Sequence, residues 1–526
     1  MKILFLMDSP EYLRFYDSAI EELVARGHAV ALAVNSGRAK KPVGLEGLHA
    51  YAGSVTVLGI VPAHSGMWGG IGRGVRGTMD FVRFLHPRFA EAAALRARIK
   101  RRVLPRAYYW LDAVPRLSPG AVHAVERGLM AMERAVPVCQ PIAAFLREQA
   151  PDVLLLSPLV AAASDQVDWV KAARQCGLRT AVCIASWDNL TNKGLLRIEP
   201  DLVIVWNEAQ RQEAHQYHYV PLDKIAATGA QLFDRWFTRT PTRDREAFCA
   251  RVGFADSRLF LLFMGSSGFI SESNAEVGFV RKWIAAVRAS GDPLVASCNI
   301  LVRPHPYNFE AWESAPLSDL PGVSVFPNRT YSPIDADNRD DFFDSVYHCG
   351  AVIGINTSAM IEAAIVGRPV LSMSTEQFAA TQEGTIHFHH LLPENGGCVR
   401  MAATLEEHVR QLRDQLANPE SSRAETARFV SSFVRPHGLE RPATPIFADA
   451  VERLGRQAPP AARPASSTAV LLRPLLLAAA APVPIVDWFV KPTALLLARK
   501  WARGALWRGR KRLRRSVLRW QRGNAR

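Results

Sequence analysis

Short apolar runs alternate with helix-period stretches along most of the chain, and this alternation predicts parallel β-sheets. Residues 3–7 form a continuous apolar run, residues 11–26 carry apolar side chains at helical spacing, and residues 29–34 are apolar again. Strands that are apolar at every position are typical of a parallel sheet whose two faces are both covered by helices. The first 35 residues therefore predict a βαβ unit.

The alternation continues in two blocks, separated by a polar, proline-marked segment at residues 238–245. The other predicted strands are residues 153–156, 180–184 and 202–206 in the first block, and 259–264, 300–302, 323–326, 351–355 and 369–373 in the second. We therefore expect an α/β fold with two Rossmann-like, doubly wound parallel-sheet domains, residues 1–240 and 245–455, facing a cleft. Folds of this kind bind ligands at the carboxyl ends of their strands.

A basic helical segment, about residues 66–135, interrupts the first block. It holds 13 basic and 5 acidic residues and an aromatic cluster of Tyr108, Tyr109 and Trp110. Two interpretations stay open. The segment is either a solvated helical excursion or a surface that meets phosphate or anionic lipid.

The net charge of +15 is concentrated at the C-terminal end of the chain. Residues 456–526 contain 16 Lys and Arg and a single acidic residue, so the preceding 455 residues are neutral overall. A nucleic-acid-binding fold would spread basic charge over its body, so we expect no nucleic-acid partner. The 7 cysteines include no CxxC pair, which argues against a zinc ribbon, a thioredoxin motif and a disulfide scaffold.

The tail, residues 456–526, combines an apolar, proline-containing stretch with a basic amphipathic pattern. The longest uncharged run has 13 residues, between Arg473 and Asp487, whereas a bilayer span needs about 20. An interfacial segment or shallow hairpin is therefore favoured over a span. From residue 499 onward, arginines accompany Trp501, Trp507 and Trp520, which is typical of a helix lying on an anionic membrane.

Candidate phosphate-binding chemistry follows the predicted strand at residues 351–355. Asn356, Thr357 and Ser358 are suited to cap a helix that opens near residue 359. The free amides of a helix start bind phosphate without a metal, and Glu362 in the first turn is placed to accept hydrogen bonds from ribose hydroxyls. The alternative is a well-capped crossover helix with no ligand.

Two further strand exits in the second block carry polar residues. Gly265, Ser266 and Ser267 follow the strand at 259–264, where glycine permits close approach of a ligand and serine offers hydroxyls. Arg303 and His305 follow the strand at 300–302, held between two prolines. We expect these segments to bind donor phosphates, with Arg303 and His305 offsetting charge on a leaving group and His305 also a catalytic candidate.

The order GSSG, RPHP and TSAMIEAAIVGRPVL resembles the donor-binding domain of GT-B glycosyltransferases, and of the related CDP-glycerol glycerophosphotransferases and non-hydrolysing UDP-N-acetylglucosamine 2-epimerases. The resemblance covers about residues 259–373 and extends to the first block only by architecture. The spacing around Glu362 is similar to that of the ribose-binding Glu in the lipid-linked GlcNAc transferases of peptidoglycan synthesis. The glycerophosphotransferase likeness implies that Arg303 and His305 hold the activated phosphate.

In the first block, residues 185–194 (ASWDNLTNKG) carry the candidate acceptor chemistry. This segment and residues 433–438 (FVRPHG) resemble bacterial surface-polysaccharide biosynthesis proteins of this fold. Trp187 is a candidate to stack on a sugar, Asp188 to accept a hydroxyl proton, and Asn189 and Lys193 to bind substrate, with Lys193 neutralising phosphate. Asp8, at the first strand exit, is a competing base. A plain strand exit with an Asp-Asn turn is the alternative.

A metal site is not expected, because His387, His389 and His390 have no Cys or carboxylate partner at a metal-binding spacing. No cofactor is expected beyond the nucleotide-activated donor. Residues 1–7 are too short for a signal peptide, so we expect a cytoplasmic protein held peripherally at the inner face of the cell membrane.

The sequence thus predicts a GT-B transferase that moves a sugar or polyol phosphate from a nucleotide-activated donor to a surface-polysaccharide or lipid-linked acceptor. Two alternatives are kept: a UDP-sugar 2-epimerase-like enzyme, and a non-catalytic membrane-bound scaffold of a glycan-assembly complex. The sequence leaves open the nucleotide base, the transferred group and the oligomeric state.

Overall fold

The computed structural model describes residues 1–35, 53, 55–271, 273–306, 308–314, 317, 319–329, 335–462 and 467–490. Within them the chain forms two parallel β-sheets. The first contains β1 (Lys2–Met7), β2 (Ala29–Asn35), β3 (Thr56–Val61), β4 (Val153–Ser157), β5 (Arg179–Cys183), β6 (Leu202–Val205) and β7 (Ile225–Ala227). The second contains β8 (Phe260–Met264), β9 (Asn299–Arg303), β10 (Val323–Val325), β11 (Ala351–Gly354), β12 (Val370–Met373) and β13 (Val399–Ala402).

Both sheets have the strand order of a doubly wound fold. The first runs β3-β2-β1-β4-β5-β6-β7 and the second β10-β9-β8-β11-β12-β13, with every ladder between described strands parallel. The order therefore reverses between β1 and β4 and between β8 and β11, the points where such sheets open a ligand crevice. The expected α/β class with two Rossmann-like sheets is confirmed, and it is the architecture that the GT-B resemblance implies.

Helices cover both sheets and bury the strands that the sequence made uniformly apolar. Those of the first sheet are α1 (Asp17–Ala25), α2 (Gly66–Val82), α3 (Ala93–Val103), α4 (Pro119–Ala135), α5 (Gln140–Gln149), α6 (Gln166–Cys176), α7 (Asn189–Asn192), α8 (Glu208–His218) and α9 (Asp234–Thr238). The helices after residue 245 are α10 (Arg245–Arg251), α11 (Ser273–Arg288), α12 (Pro293–Ala296), α13 (Glu310–Ser314), α14 (Ala336–His348), α15 (Ala359–Ile365), α16 (Leu405–Ala417), α17 (Arg423–Phe429) and α18 (Ala443–Gly455). Helices α2 to α4 are the insertion predicted at residues 66–135.

The second domain does not keep all of residues 245–455, as the sequence analysis assigned them. Helix α18 returns to the first domain, where Phe447, Val451 and Leu454 pack in one core with Ile3 and Phe5 of β1. The apolar face of α18 is buried against the first sheet, and this burial stabilises the return of the chain to the first domain. The chain therefore passes between the domains twice.

One carboxylate joins the two crossings. Asp234, at the end of the first domain, accepts hydrogen bonds from Arg435 on the return path at 2.8 and 3.1 Å. It also accepts the amides of Ala443 and Thr444 at the start of α18, at 3.0 and 2.6 Å. The predicted FVRPHG motif thus has a structural role here, since Arg435 fixes the place where the chain returns.

The tail begins with three short apolar helices, α19 (Ser467–Leu471), α20 (Arg473–Ala480) and α21 (Pro482–Val490), which pack on the helical insertion. In the part of the chain that is described, the stretch Ala469–Val486 is long and apolar enough to cross a membrane, with a mean hydropathy of 2.0. Helices α4 and α5, bent by 72°, meet the same criterion only as a pair. The basic segment with Trp501, Trp507 and Trp520 lies outside the described residues.

Candidate active site

A cleft of about 870 Å³ lies between the carboxyl ends of the two sheets. Its size falls within the range of small-molecule binding sites. The second domain contributes the predicted residues Gly265, Ser267, Arg303, His305, Asn356, Thr357, Ser358 and Glu362. The first contributes Trp187, Asp188, Asn189 and Lys193. The structure therefore brings together most of the residues that the sequence singled out.

Asp8 and Ser266 are the predicted site residues that do not line the cleft. Asp8 is only 5% exposed at the end of β1, and its backbone amide donates to the Ser157 carbonyl at 3.0 Å. Asp8 is therefore a weaker candidate for the base than Asp188, which lines the cleft. A buried carboxylate outside the cleft does not reach an acceptor hydroxyl.

The Gly265 to Gly268 loop is fixed from behind by a buried carboxyl group. The Ser266 amide donates to Glu276 at 2.8 Å, and the Ser266 carbonyl accepts from Asn308 at 3.0 Å. Burial raises the pKa of Glu276 to about 8, against the lowering effect of its hydrogen bonds with Ser266. Ser266 therefore anchors the loop instead of binding a ligand, and Ser267 is the serine that lines the cleft.

Gly265 allows the first two strand exits of the second sheet to pass in close contact. A Cβ at this position would lie 2.9 Å from the backbone nitrogen of His305 and 3.0 Å from the carbonyl oxygen of Arg303. The glycine is therefore required by the adjacent Arg-Pro-His-Pro segment.

The Arg303 side chain is buried in the wall of the cleft, where it contacts α14. Its guanidinium donates to the Asp341 carbonyl at 3.2 Å and to the Ser345 hydroxyl at 2.9 Å. It also lies over the rings of Phe326 and Phe342, at 5.7 and 5.5 Å. These contacts hold the loop that carries His305, so Arg303 has a positioning role; its effect on the charge of a leaving group stays a prediction.

His305 and Glu362 are both neutral at pH 7. Burial lowers the pKa of His305 to about 4, and the charge of Arg14 adds to this effect. Burial raises the pKa of Glu362 to about 8, which Arg14 opposes. His305 is therefore a neutral hydrogen-bonding group, which offsets charge on a leaving group only through a hydrogen bond, while Glu362 is a protonated carboxyl able to donate or accept.

Helix α15 begins at the predicted place but gives a weaker anion site than expected. It has seven residues, and Ser358 at its N-cap makes no capping hydrogen bond with its side chain. The amides of Met360 and Ile361 already donate to the Thr357 and Ser358 carbonyls. Asn356 is buried, and its side-chain amide donates to the Thr381 carbonyl at 2.9 Å. Few backbone donors therefore remain for a phosphate, and charged side chains must supply the rest.

Trp187 joins the two domains. It is 3% exposed, its indole nitrogen donates to the Ser358 hydroxyl at 3.1 Å, and its ring meets His387 edge to face at 4.7 Å. The ring is therefore held between the domains, and the expected role as an open stacking surface for a sugar is not supported by its burial.

Asp188 is an ionised carboxylate at the first-domain side of the cleft. Burial alone raises its pKa, but Lys193 and His387 outweigh this and hold the pKa of Asp188 below its usual range. Lys193 lies 3.5 Å away, and the side-chain amide of Asn189 donates to the carboxylate at 3.1 Å. Asn189 is itself buried and accepts from the Ala185 amide, so it positions Asp188.

Five arginines that were not among the predicted site residues line the cleft: Arg14, Arg98, Arg235, Arg239 and Arg339. Arg14 follows β1 at a strand exit of the switch point, which is the signal that could have identified it. Arg98 comes from insertion helix α3, within the basic run already noted, and its guanidinium lies 4.1 Å from the centre of the Phe269 ring. The insertion thus reaches the cleft.

The described residues that line the cleft include seven Arg and Lys and five Asp and Glu, among them the neutral Glu362. Arg235 and Arg239 are paired with acidic side chains, whereas Arg14 and Arg98 lie against aromatic rings. The cleft therefore has an excess of positive charge, which suits an anionic ligand.

The histidine segment makes separate structural contacts. His389 bonds to the Glu383 carbonyl and His390 to the Glu213 carboxylate, each at 2.6 Å, while His387 contacts Trp187. Among the residues that the structure describes, no group of three or more His, Cys, Asp or Glu side chains could hold a metal ion.

Replacing Glu362 with glutamine should stabilise the protein, and the gain should grow between about pH 5 and pH 8. The folded chain keeps a proton up to a pKa of about 8 that the unfolded chain releases near 4.5, so wild-type stability falls across this window. The gain rises by about 1.4 kcal/mol per pH unit, to about 4 kcal/mol. Urea unfolding at a series of pH values measures it, with exposed Glu420→Gln as the control. A pH-independent difference would contradict the assignment.

No protein family model matches this sequence, and no curated protein matches it significantly. Solved structures of similar fold include a UDP-GlcNAc 2-epimerase from Neisseria meningitidis bound to UDP-GlcNAc, at 11% identity and a TM-score of 0.48, covering 86% of this chain and 100% of that one. A UDP-GlcNAc 2-epimerase from Methanocaldococcus jannaschii is 12% identical, with the same TM-score and coverage. A glycosyltransferase from Rickettsia africae is 9% identical, with a TM-score of 0.49, covering 87% of this chain and 99% of that one.

Proposed function

We propose that this chain is a GT-B transferase that moves a sugar or polyol-phosphate group from a nucleotide-activated donor to a glycan or lipid-linked acceptor. The observation on which the proposal rests is the cleft of about 870 Å³, where the switch points of both sheets meet an excess of positive charge. A nucleoside diphosphate is an anion of suitable size for such a cleft.

The donor lies against the second domain in this proposal. Gly265, Ser267 and Thr357 offer small side chains and hydroxyls at adjacent strand exits. Glu362 bonds to the ribose hydroxyls, and Arg14 takes over the phosphate-neutralising role first expected of Arg303. No bound metal is part of this scheme.

Asp188 receives the proton of the acceptor hydroxyl. The acceptor oxygen forms a bond to the anomeric carbon or phosphorus of the transferred group, and the bond from that atom to the donor phosphate oxygen breaks. The nucleotide leaves with the electron pair, and the proton passes from Asp188 to solvent. Neutral His305 is another group in the cleft able to accept a proton, and it comes from the opposite domain.

The place of action in this proposal is the cytoplasmic face of the cell membrane. The basic segment at residues 491–526, with 13 Arg and Lys and no acidic residue, supports it by its attraction to anionic lipid.

Calorimetric titration of the full chain in detergent with UDP, CDP and GDP tests the donor site. We expect one of them to bind, and Glu362→Ala to weaken that binding about tenfold, because ribose hydrogen bonds are lost. Exposed Glu420→Ala should bind as wild type does. Binding of none of the three nucleotides would contradict the donor site, and a changed sugar still attached to nucleotide would indicate an epimerase.

A further inference from the structure

We propose that the apolar helices α19 to α21 and the helical insertion together form a folded docking surface for an anionic lipid bilayer. This inference rests on the membrane location in the proposed function and deepens it, and it would hold for any chemistry in the cleft. It also differs from attraction of the basic segment at residues 491–526, because it assigns membrane contact to described, packed residues.

The inner side of these helices is fixed on the insertion. Leu476 is buried among Val75, Met79 and Val136 of the insertion and its flank. Arg473 donates to the Ala135 carbonyl at 3.1 Å, and the Tyr108 hydroxyl donates to the Ala479 carbonyl. Tail helices and insertion therefore form one packed unit.

The outer side is an apolar stripe that the described residues leave uncovered. Its members, at intervals of three or four residues, are Leu471, Leu475, Ala478, Pro482 and Ile485. Leu471 is 78% exposed, Leu475 55% and Ile485 56%. Only 11% of the stretch Ala469–Val486 is buried. A continuous apolar surface of this kind marks an interaction site.

An aromatic residue lies beside these helices, and exposed arginines precede it in the chain. The helical turn Arg106–Ala113 packs against α21 and presents Trp110, which is 63% exposed. Arg101 and Arg102, at the end of α3, and Arg106 are exposed as well. Apolar surface next to tryptophan and arginine is the composition of proteins that lie at the headgroup region of an anionic leaflet.

The charge also decides among the occupants of the stripe. Residues 491–526 carry 13 basic and no acidic residues, so exposed arginines would repel that segment. A second copy of the chain would bring the same arginines face to face. An anionic bilayer matches both the apolar stripe and the adjacent charge.

Co-sedimentation of the full chain with phosphatidylcholine vesicles, with and without phosphatidylserine, tests the proposal. We expect Leu471→Glu/Leu475→Glu to reduce binding to both vesicle types at least about tenfold. Arg101→Glu/Arg102→Glu should reduce it by a similar factor on the anionic vesicles alone. The matched control is Leu294→Glu/Arg410→Glu, exposed on the second domain, which should bind as wild type does.

Nucleotide titration and thermal unfolding of each variant show whether the fold is kept. Wild-type vesicle binding by both variants would overturn the proposal. The proposal would also be overturned if sedimentation showed a wild-type dimer that Leu471→Glu/Leu475→Glu dissociates, with vesicle binding unchanged, since a second copy of the chain would then cover the stripe. The emission of a fluorophore attached at Leu475→Cys should shift to the blue when anionic vesicles are added. Emission that is already blue-shifted before vesicles are added, and does not change afterwards, would mean that the chain covers its own stripe.

Discussion

Replacing Asp188 with asparagine should lower kcat by about 10²–10⁴-fold, with the donor Kd within about twofold of wild type. Asn keeps the shape of the side chain but cannot take up the acceptor proton. Donor affinity should hold because the donor groups come from the second domain and from Arg14. Steady-state kinetics with the donor identified by titration, together with calorimetry, separate the two effects.

The pH–rate profile of a second variant tests the same role of Asp188, and a third variant is the control. Lys193 holds the pKa of Asp188 low, so Lys193→Met should raise that pKa and move the acid limb of the pH–rate profile to higher pH. Asp8→Asn should leave kcat unchanged within about twofold, because Asp8 does not line the cleft. Full activity of Asp188→Asn would transfer the role of base to another group, with His305 the next candidate.

Replacing Arg14 with glutamate should raise the donor Kd about 100-fold, because a charge-assisted contact to phosphate is lost and a like charge is introduced. Arg14→Lys should retain most of the affinity. Titration with the binding nucleotide measures both variants. In the Arg14→Glu variant, the pKa of His305 should rise from about 4, since the charge of Arg14 no longer lowers it.

Arg453→Glu is the matched control for Arg14→Glu. Arg453 is exposed and does not line the cleft, so its reversal changes the net charge equally without touching the site. We expect the control to bind donor as wild type does. Equal losses in the two variants would mean that net charge, and not a contact with Arg14, controls affinity.

The interior strands could be predicted from the sequence because burial on both faces requires continuous apolar runs. Strands β1, β8 and β11 follow this rule, and their exits carry the polar residues that the topology brings together. Edge strand β7 was missed because it has only three residues, and β3 and β13 were missed because they are partly exposed and include polar residues. Helix α18 was misassigned because an apolar helical face does not say which sheet it covers.

The cleft residues were predicted by their position at strand exits, but the state of each side chain was not. Whether Arg303 points into the cleft or contacts α14 depends on residues about 40 positions away. The neutral state of His305 depends on burial and on Arg14 from the other domain. Such long-range contacts leave no mark in a local motif, so charge and protonation became visible only in the folded chain.

The joined crossings at Asp234 should restrict relative motion of the two domains. A single flexible linker would let one domain twist, slide and tilt freely against the other. Here the two connecting segments meet at the carboxylate of Asp234, which accepts hydrogen bonds from Arg435 and from the first amides of α18. We expect these two anchored connections to resist sliding of one domain past the other more than a single linker would, and contacts between the domains such as that of Trp187 with Ser358 to add to this resistance.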